Sequence, residues 1–154
     1  MALTIEIPGR EALKLEHLIL DVNGTLTDRG QLLDGVATRL NRLRERLEPM
    51  LVSADTFGTL GVVGSELGVG VRTVRGGRDK LLLIEELGAA HTVVIGNGTN
   101  DAAALEAAAL GIAVLGPEGT SAAAVRSADV LCRSAVEALD LLLDPTALAA
   151  TLRL

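Results

Sequence analysis

Along the chain, short apolar runs end repeatedly in small polar turns, with helically spaced segments between them. Residues 3–7 alternate apolar and polar before Pro8-Gly9, which predicts a short half-exposed strand and a turn. Residues 13–20 then carry the chain into the run Leu18-Ile19-Leu20, which ends in Asp21. This opening pair reads as an N-terminal β extension, a hairpin-like addition at a sheet edge. Asp28-Arg29-Gly30 makes a further turn. Over residues 34–47, Val36, Leu40, Leu43 and Leu47 recur at helical spacing while Arg39, Arg42, Arg44 and Arg46 face elsewhere, and Pro49 is expected to close that helix. A second strand, residues 50–52, runs into Ser53-Ala54-Asp55-Thr56. A helix is predicted over 59–67 and a strand over 71–74. The turn at 75–80 then opens a helix through Leu87, which Gly88 ends. Residues 92–95 form a fourth strand and run into the sequence GNGTND, residues 96–101. An Ala-rich helix follows, then strands at 112–115 and 130–131 separated by a helix over 121–128. Two closing helices complete the chain, one over 135–143 and one capped by Asp144-Pro145.

Strands alternating with helices at this spacing predict an α/β fold, a three-layer Rossmann-like α/β/α sandwich around a mostly parallel sheet. Right-handed crossovers then set every strand's carboxyl end on one rim. Asp21, Ser53, the turn at 76–80 and the turn at 97–101 all open there, on the rim where open α/β sheets bind ligands. A carboxylate at the tip of a buried strand is costly unless paired, and a metal ion is the obvious partner. The plainer reading of a lone Asp21 is a turn or cap aspartate. Four polar turns on one rim form a constellation and favour the ligand site.

Composition narrows the chemistry. With 154 residues and 49% apolar content, the chain has the size of one domain with a substantial core, and residues 1–154 are expected to form it. No apolar run approaches the roughly 20 residues of a spanning helix, so a soluble protein without a membrane partner is expected. The opening residues show no basic region followed by a long apolar stretch, so the cytoplasm is the default expectation. A net charge of −6 argues against nucleic acid held by its phosphates, and one Phe with no Trp or Tyr leaves no platform for stacking bases. A small anionic substrate would need a metal and local cations. Cys132 is the sole cysteine, so it forms no intrachain disulfide, and it reads as a buried inert thiol. His17 and His91 begin strands on the far rim and read as structural. Arg75 and Arg78 lie on the active rim, where solvated side chains are the plainer reading and substrate contacts the other.

The four turns together resemble the haloacid dehalogenase superfamily of aspartate-dependent phosphohydrolases, over nearly the whole chain. The order is an Asp-x-Asx-Gly-Thr loop, a Ser after the second strand, a Lys opening a later helix, and an Asn-Asp-ending turn after the fourth strand. DVNGTLT and GNGTNDAAALEAAALGIAVLG are most similar to the phosphorylation domain of P-type ATPases and its free-standing soluble relatives. The resemblance implies Asp21 as the nucleophile that forms an aspartyl-phosphate. It implies Mg²⁺ held by Asp21, the Asn23 backbone carbonyl, Asn97 and Asp101, the last directly or through water. Ser53, with Ala54, Gly24, Thr25 and Asn100, corresponds to phosphate-binding positions, and Lys80 to the cation that offsets charge on the nucleophile and the transferring group. No cap domain fits between these motifs, and capless relatives close the site with a neighbouring subunit or act on large substrates. A homo-oligomer is therefore an open expectation.

Two departures qualify the resemblance. Phosphatases of the superfamily carry a second Asp two residues after the nucleophile as general acid and base; Asn23 cannot exchange a proton near neutral pH. Many relatives also carry an Asp metal ligand where this chain has Asn97. The expectation is a slow Mg²⁺-dependent phosphohydrolase acting on a small phosphorylated substrate. The alternatives are a catalytically weak regulatory or binding module that keeps the phosphate and metal site, and a capless oligomeric sugar-phosphate phosphatase.

Overall fold

The computed structural model describes residues 1–55 and 58–154; Thr56, at the end of the turn expected after the second strand, lies outside them. The central sheet has six strands, all parallel, in the order β10-β9-β8-β3-β6-β7: β3 (His17–Leu20), β6 (Glu48–Ser53), β7 (Gly70–Thr73), β8 (Thr92–Gly96), β9 (Leu110–Val114) and β10 (Val130–Cys132). Strands β8 and β9 are buried at every residue, which is why they read as continuous apolar runs rather than as alternating ones. Side chains on successive residues enter opposite layers. Leu18 and Leu20 join the core beneath α1 (Val36–Leu43), α2 (Leu60–Leu67), α6 (Ala135–Leu142) and α7 (Pro145–Leu152). Ile19, between them, joins the core beneath α3 (Gly77–Leu87), α4 (Ala102–Ala107) and α5 (Ala122–Ser127). The result is the expected three-layer α/β/α sandwich, and no cap domain stands among the described residues.

From β3 the chain builds β6 and β7 on one side and then returns to place β8 on the other. The strand order therefore reverses at β3, and a crevice opens beyond its carboxyl end. That crevice holds Asp21.

Two expectations are corrected. Pro49 does not close a helix: α1 ends at Leu43, and Pro49 sits inside β6 opposite Leu18. The Glu48 N–H bonds Glu16 on the β3 side, so the Pro49 nitrogen faces β7, whose pairing begins only at Met50. No ladder bond is lost there. Second, the N-terminal strands β1 (Leu3–Ile5) and β2 (Leu13–Leu15) pair antiparallel but form their own sheet and extend no edge of the central one. Only Glu16 separates β2 from β3, and its N–H and C=O already bond His91 and Glu48. The hairpin is thus held beneath the amino ends of the central strands. The expected turn at Asp28-Arg29-Gly30 is present and joins the two strands of a second hairpin, β4 (Thr27–Asp28) and β5 (Gln31–Leu32). No helix among the described residues is long and apolar enough to cross a membrane.

Candidate active site

The loop after β3 is a tight reversal around one carbonyl. Val22 O accepts the N–H groups of Thr25, Leu26 and Thr27 at 3.1, 2.9 and 3.2 Å, and Val22 and Leu26 are fully buried anchors. Gly24 has φ 76° and lies under Asn97, so a side chain there would be strained and would press on the Asn97 amide. The Gly116 backbone packs on the Gly24 carbonyl so closely that a Cβ at Gly116 would collide with it. This construction fixes Asp21 and Asn23 at the rim.

Lys80, in the first turn of α3, bridges two carboxylates: its Nζ donates to Asp21 Oδ1 at 2.8 Å and to Asp101 Oδ1 at 2.5 Å. The three side chains are 3%, 9% and 1% exposed, so one ammonium offsets two buried carboxylates. Burial, with the Asp101 charge second, raises the Asp21 carboxyl to about 6 despite the opposing pull of Lys80 and Thr25. Burial alone would lower the Lys80 ammonium, but the charges of Asp21 and Asp101 outweigh it and hold it above its ordinary value.

Asp101 is engaged on both oxygens. Its Oδ2 accepts the Asn97 and Gly98 backbone N–H groups at 3.1 and 3.0 Å while Oδ1 holds Lys80. Asp101 thus ties the turn after β8 to α3. A Cβ at Gly96 would overlap its carboxylate, so Gly96 is what lets it fold inward.

Two acceptors compete for one proton beside Asp21. The buried Thr25 hydroxyl lies 2.9 Å from Asp21 Oδ2 and 3.0 Å from Asn97 Oδ1, and it can donate to only one. The Asn97 amide is oriented by its other end, where Nδ2 donates to the Gly119 carbonyl at 2.9 Å. Nearby, no donor among the described residues bonds the Asn23 carbonyl. Surplus oxygen acceptors of carboxylate, amide and carbonyl type fit Mg²⁺, which takes few protein oxygens and keeps several waters. No group of three His, Cys, Asp or Glu side chains suited to a metal assembles among the described residues.

Ser53, at the end of β6, is buried; its Oγ accepts the Asp55 N–H at 3.0 Å and Asn23 Nδ2 at 3.4 Å. Asp21, Asn23, Gly24, Thr25, Ser53, Lys80, Asn97 and Asp101 therefore come together. Ala54 and Asn100 are exposed at the border. Asn100 presents its backbone to Gly77 of α3. Arg75 and Arg78 are exposed on this rim, while His17 and His91 lie at the opposite one, where His91 Nδ1 meets Lys14 O at 3.0 Å. Cys132 is buried, and burial pushes its thiol up to about 11.

Sequence reasoning missed four participants. Thr59 Oγ1 donates to Asn23 Oδ1 at 3.0 Å. Asp55, at φ 56°, bonds Ser53 and caps α2 through Leu60 N at 3.0 Å. Gly119 holds Asn97, and Glu118 Oε2 accepts the Arg29 N–H at 2.9 Å, tying the loop after β9 to the β4–β5 hairpin. A cap-forming Asp and Thr around the start of a helix were the only signals for the first two.

This arrangement is the haloacid dehalogenase fold, with the aspartate of the loop after β3 and a lysine from a later helix brought together at the strand-order reversal. Among solved structures, a hydrolase of subfamily III A from Legionella pneumophila superposes with TM-score 0.71 at 17% identity, over 90% of this chain and 87% of that one. The 3-deoxy-D-manno-octulosonate 8-phosphate phosphatase of Moraxella catarrhalis, solved with magnesium, phosphate and the sugar acid, gives 0.66 at 18%, over 85% and 87%. A zinc-transporting PIB-type ATPase in its E2.Pi state gives 0.66 at 24%, over 78% of this chain and 20% of that one. The chain belongs to the same family as the uncharacterized protein MJ0073 of Methanocaldococcus jannaschii, with 41% identity over 78 residues, 48% of this chain and 84% of that protein. No family model matches the chain.

Proposed function

We propose that the protein is a Mg²⁺-dependent phosphohydrolase that works through an aspartyl-phosphate on Asp21. The observation that carries this reading is the buried Asp21–Lys80–Asp101 cluster at the mouth of the crevice, with the Ser53 and Thr25 hydroxyls around it. A structural ion pair needs one carboxylate per ammonium; a surplus of buried negative charge at a ligand-binding rim suits a site that completes itself with a cation and a phosphate.

Asp21 attacks phosphorus, the bond from phosphorus to the leaving oxygen breaks, and the leaving group takes its proton from solvent. Water then attacks the same phosphorus and releases phosphate, returning the Asp21 carboxylate. Lys80 offsets charge on the nucleophile and the transferring group, while Ser53 and Ala54 offer O–H and N–H donors to the phosphoryl oxygens. Asp21, the Asn23 carbonyl and Asn97 Oδ1 would hold Mg²⁺, with Asp101 reaching it through water. When bound, the ion supplies positive charge that draws the phosphate to Asp21.

Asn23 supplies no proton to the leaving group, so slow turnover that favours good leaving groups is expected. Asn23→Asp is expected to raise Mg²⁺-dependent hydrolysis of p-nitrophenyl phosphate at least tenfold, toward the ~10²- to 10⁴-fold typical of general acid–base help. An unchanged rate would remove the missing acid as the cause of attenuation. Asn97→Asp adds a charge at the proposed metal site and loses the donor to Gly119. It is expected to bind Mg²⁺ about tenfold more tightly in calorimetry, with faster amide exchange in residues 116–120. Equal affinity would place Asn97 outside the metal shell.

The second reading, a binding module with little catalysis, is favoured by the amides of Asn23 and Asn97, which are both hydrogen-bonded in place. It predicts tight phosphate binding and no turnover even in Asn23→Asp.

A further inference from the structure

The Ser53 hydroxyl is surrounded in an unusual way. Its oxygen is buried and accepts two N–H donors, the Asp55 backbone at 3.0 Å and the Asn23 amide at 3.4 Å. A hydroxyl has two lone pairs and one proton. With both lone pairs occupied, the proton is the one function left, and among the described residues no acceptor takes it. The end of the Asn23 amide that meets Ser53 is set by Thr59, whose Oγ1 donates to Asn23 Oδ1 at 3.0 Å and thereby turns Nδ2 toward Ser53. Thr59 stands at the start of α2, which Asp55 also caps, so the start of one helix governs both donors to Ser53.

We propose that Thr59 is a positioning residue for phosphate: acting through the Asn23 side chain, it aims the Ser53 proton at the bound anion. This rests on Ser53 being a phosphate ligand, as in the function proposed above. It also gives Asn23 a role of its own. A carboxylate at position 23 accepts hydrogen bonds and donates none when ionised, so it would draw the Ser53 proton toward itself and away from phosphate. Anion binding and proton transfer make opposite demands on that one side chain, and this chain carries the residue that serves binding.

The test is calorimetric binding of inorganic phosphate, with Mg²⁺ present, to the wild type and to Thr59→Val, Thr59→Ser, Asn23→Asp, Ser53→Ala and the Thr59→Val/Ser53→Ala pair, each checked by thermal melting. Thr59→Val is expected to weaken phosphate about five- to tenfold, in line with the loss of one hydrogen bond to a charged group, and Thr59→Ser to restore wild-type affinity. Asn23→Asp is expected to bind phosphate more weakly even as its turnover rises. In the Ser53→Ala background Thr59→Val is expected to add nothing. Wild-type affinity in Thr59→Val, a full Thr59→Val effect without the Ser53 hydroxyl, or failure of Thr59→Ser to rescue would each overturn the proposal while leaving the phosphate site intact. No phosphate binding by the wild type, or none lost in Ser53→Ala, would overturn the phosphate-site reading and this proposal with it.

Discussion

Lys80→Met is expected to lower the melting temperature of the metal-free protein at pH 7 by about 6–12 °C and to abolish phosphate-ester hydrolysis. The ammonium of Lys80 is the shared partner of Asp21 and Asp101, and all three side chains are buried. Removing one partner from a buried ionic cluster costs about 3 kcal/mol or more, because the remaining charge is neither solvated nor paired. For a chain of this size each kcal/mol moves the midpoint by roughly 2–4 °C. The loss should shrink toward pH 4, where Asp21 can take a proton and remove one of the two stranded charges. A melting curve of Lys80→Met that coincides with wild type at pH 7 would mean that the cluster is hydrated and carries no strain of charge.

Asp21→Asn is expected to do the opposite to stability and the same to activity. The Asp21 carboxyl is raised from 3.8 to about 6 in the folded protein. Between those values the folded state holds a proton that the unfolded chain has released, so stability falls as pH rises through the window and stays low above it. Asp21→Asn removes this dependence: Lys80 then faces one carboxylate, and the new amide can donate to the Thr25 hydroxyl, which passes its proton to Asn97. In metal-free buffer the variant should melt near wild type at pH 4 and several degrees higher above pH 6, about 1–3 kcal/mol of stabilisation. Mg²⁺ should narrow the gap by stabilising wild type more than the variant. A variant that is less stable than wild type at pH 7 would show that the pairing of Asp21 with Lys80 outweighs the cost of burying its charge.

The fold was legible because the central strands advertise themselves. Strands buried on both faces, such as β8 and β9, appear as unbroken apolar runs, and β8 leads directly into the small polar residues Asn97 to Asn100 at the ligand-binding rim. Asp21, Ser53, Lys80 and Asp101 could be aligned because parallel strands bring their carboxyl ends together whatever lies between them. Pro49 was misread because proline's effect depends on which way its nitrogen faces, and that is set by β3 and β7 rather than by its neighbours in sequence. The edge placement of the N-terminal hairpin failed for a similar reason, since the bonds of Glu16 to His91 and Glu48 pin it below the sheet. In the candidate site, which residues gather at the rim was readable and how they bond one another was not. That Asp101 spends both oxygens on Lys80 and the Asn97-Gly98 backbone, that Asn97 clasps Gly119, and that Thr59 reaches Asn23 are contacts across 21 to 36 residues, apart from the local Asp101 cap. No local pattern announces them.

The most direct test of the proposed chemistry is the steady-state hydrolysis of p-nitrophenyl phosphate by wild type and Asp21→Asn, with Mg²⁺ and with the ion chelated. The account predicts slow turnover by wild type that requires Mg²⁺ and disappears in Asp21→Asn, although that variant is folded and, above pH 6 without metal, the more stable of the two. Hydrolysis that survives in Asp21→Asn, or that proceeds equally without Mg²⁺, would contradict it.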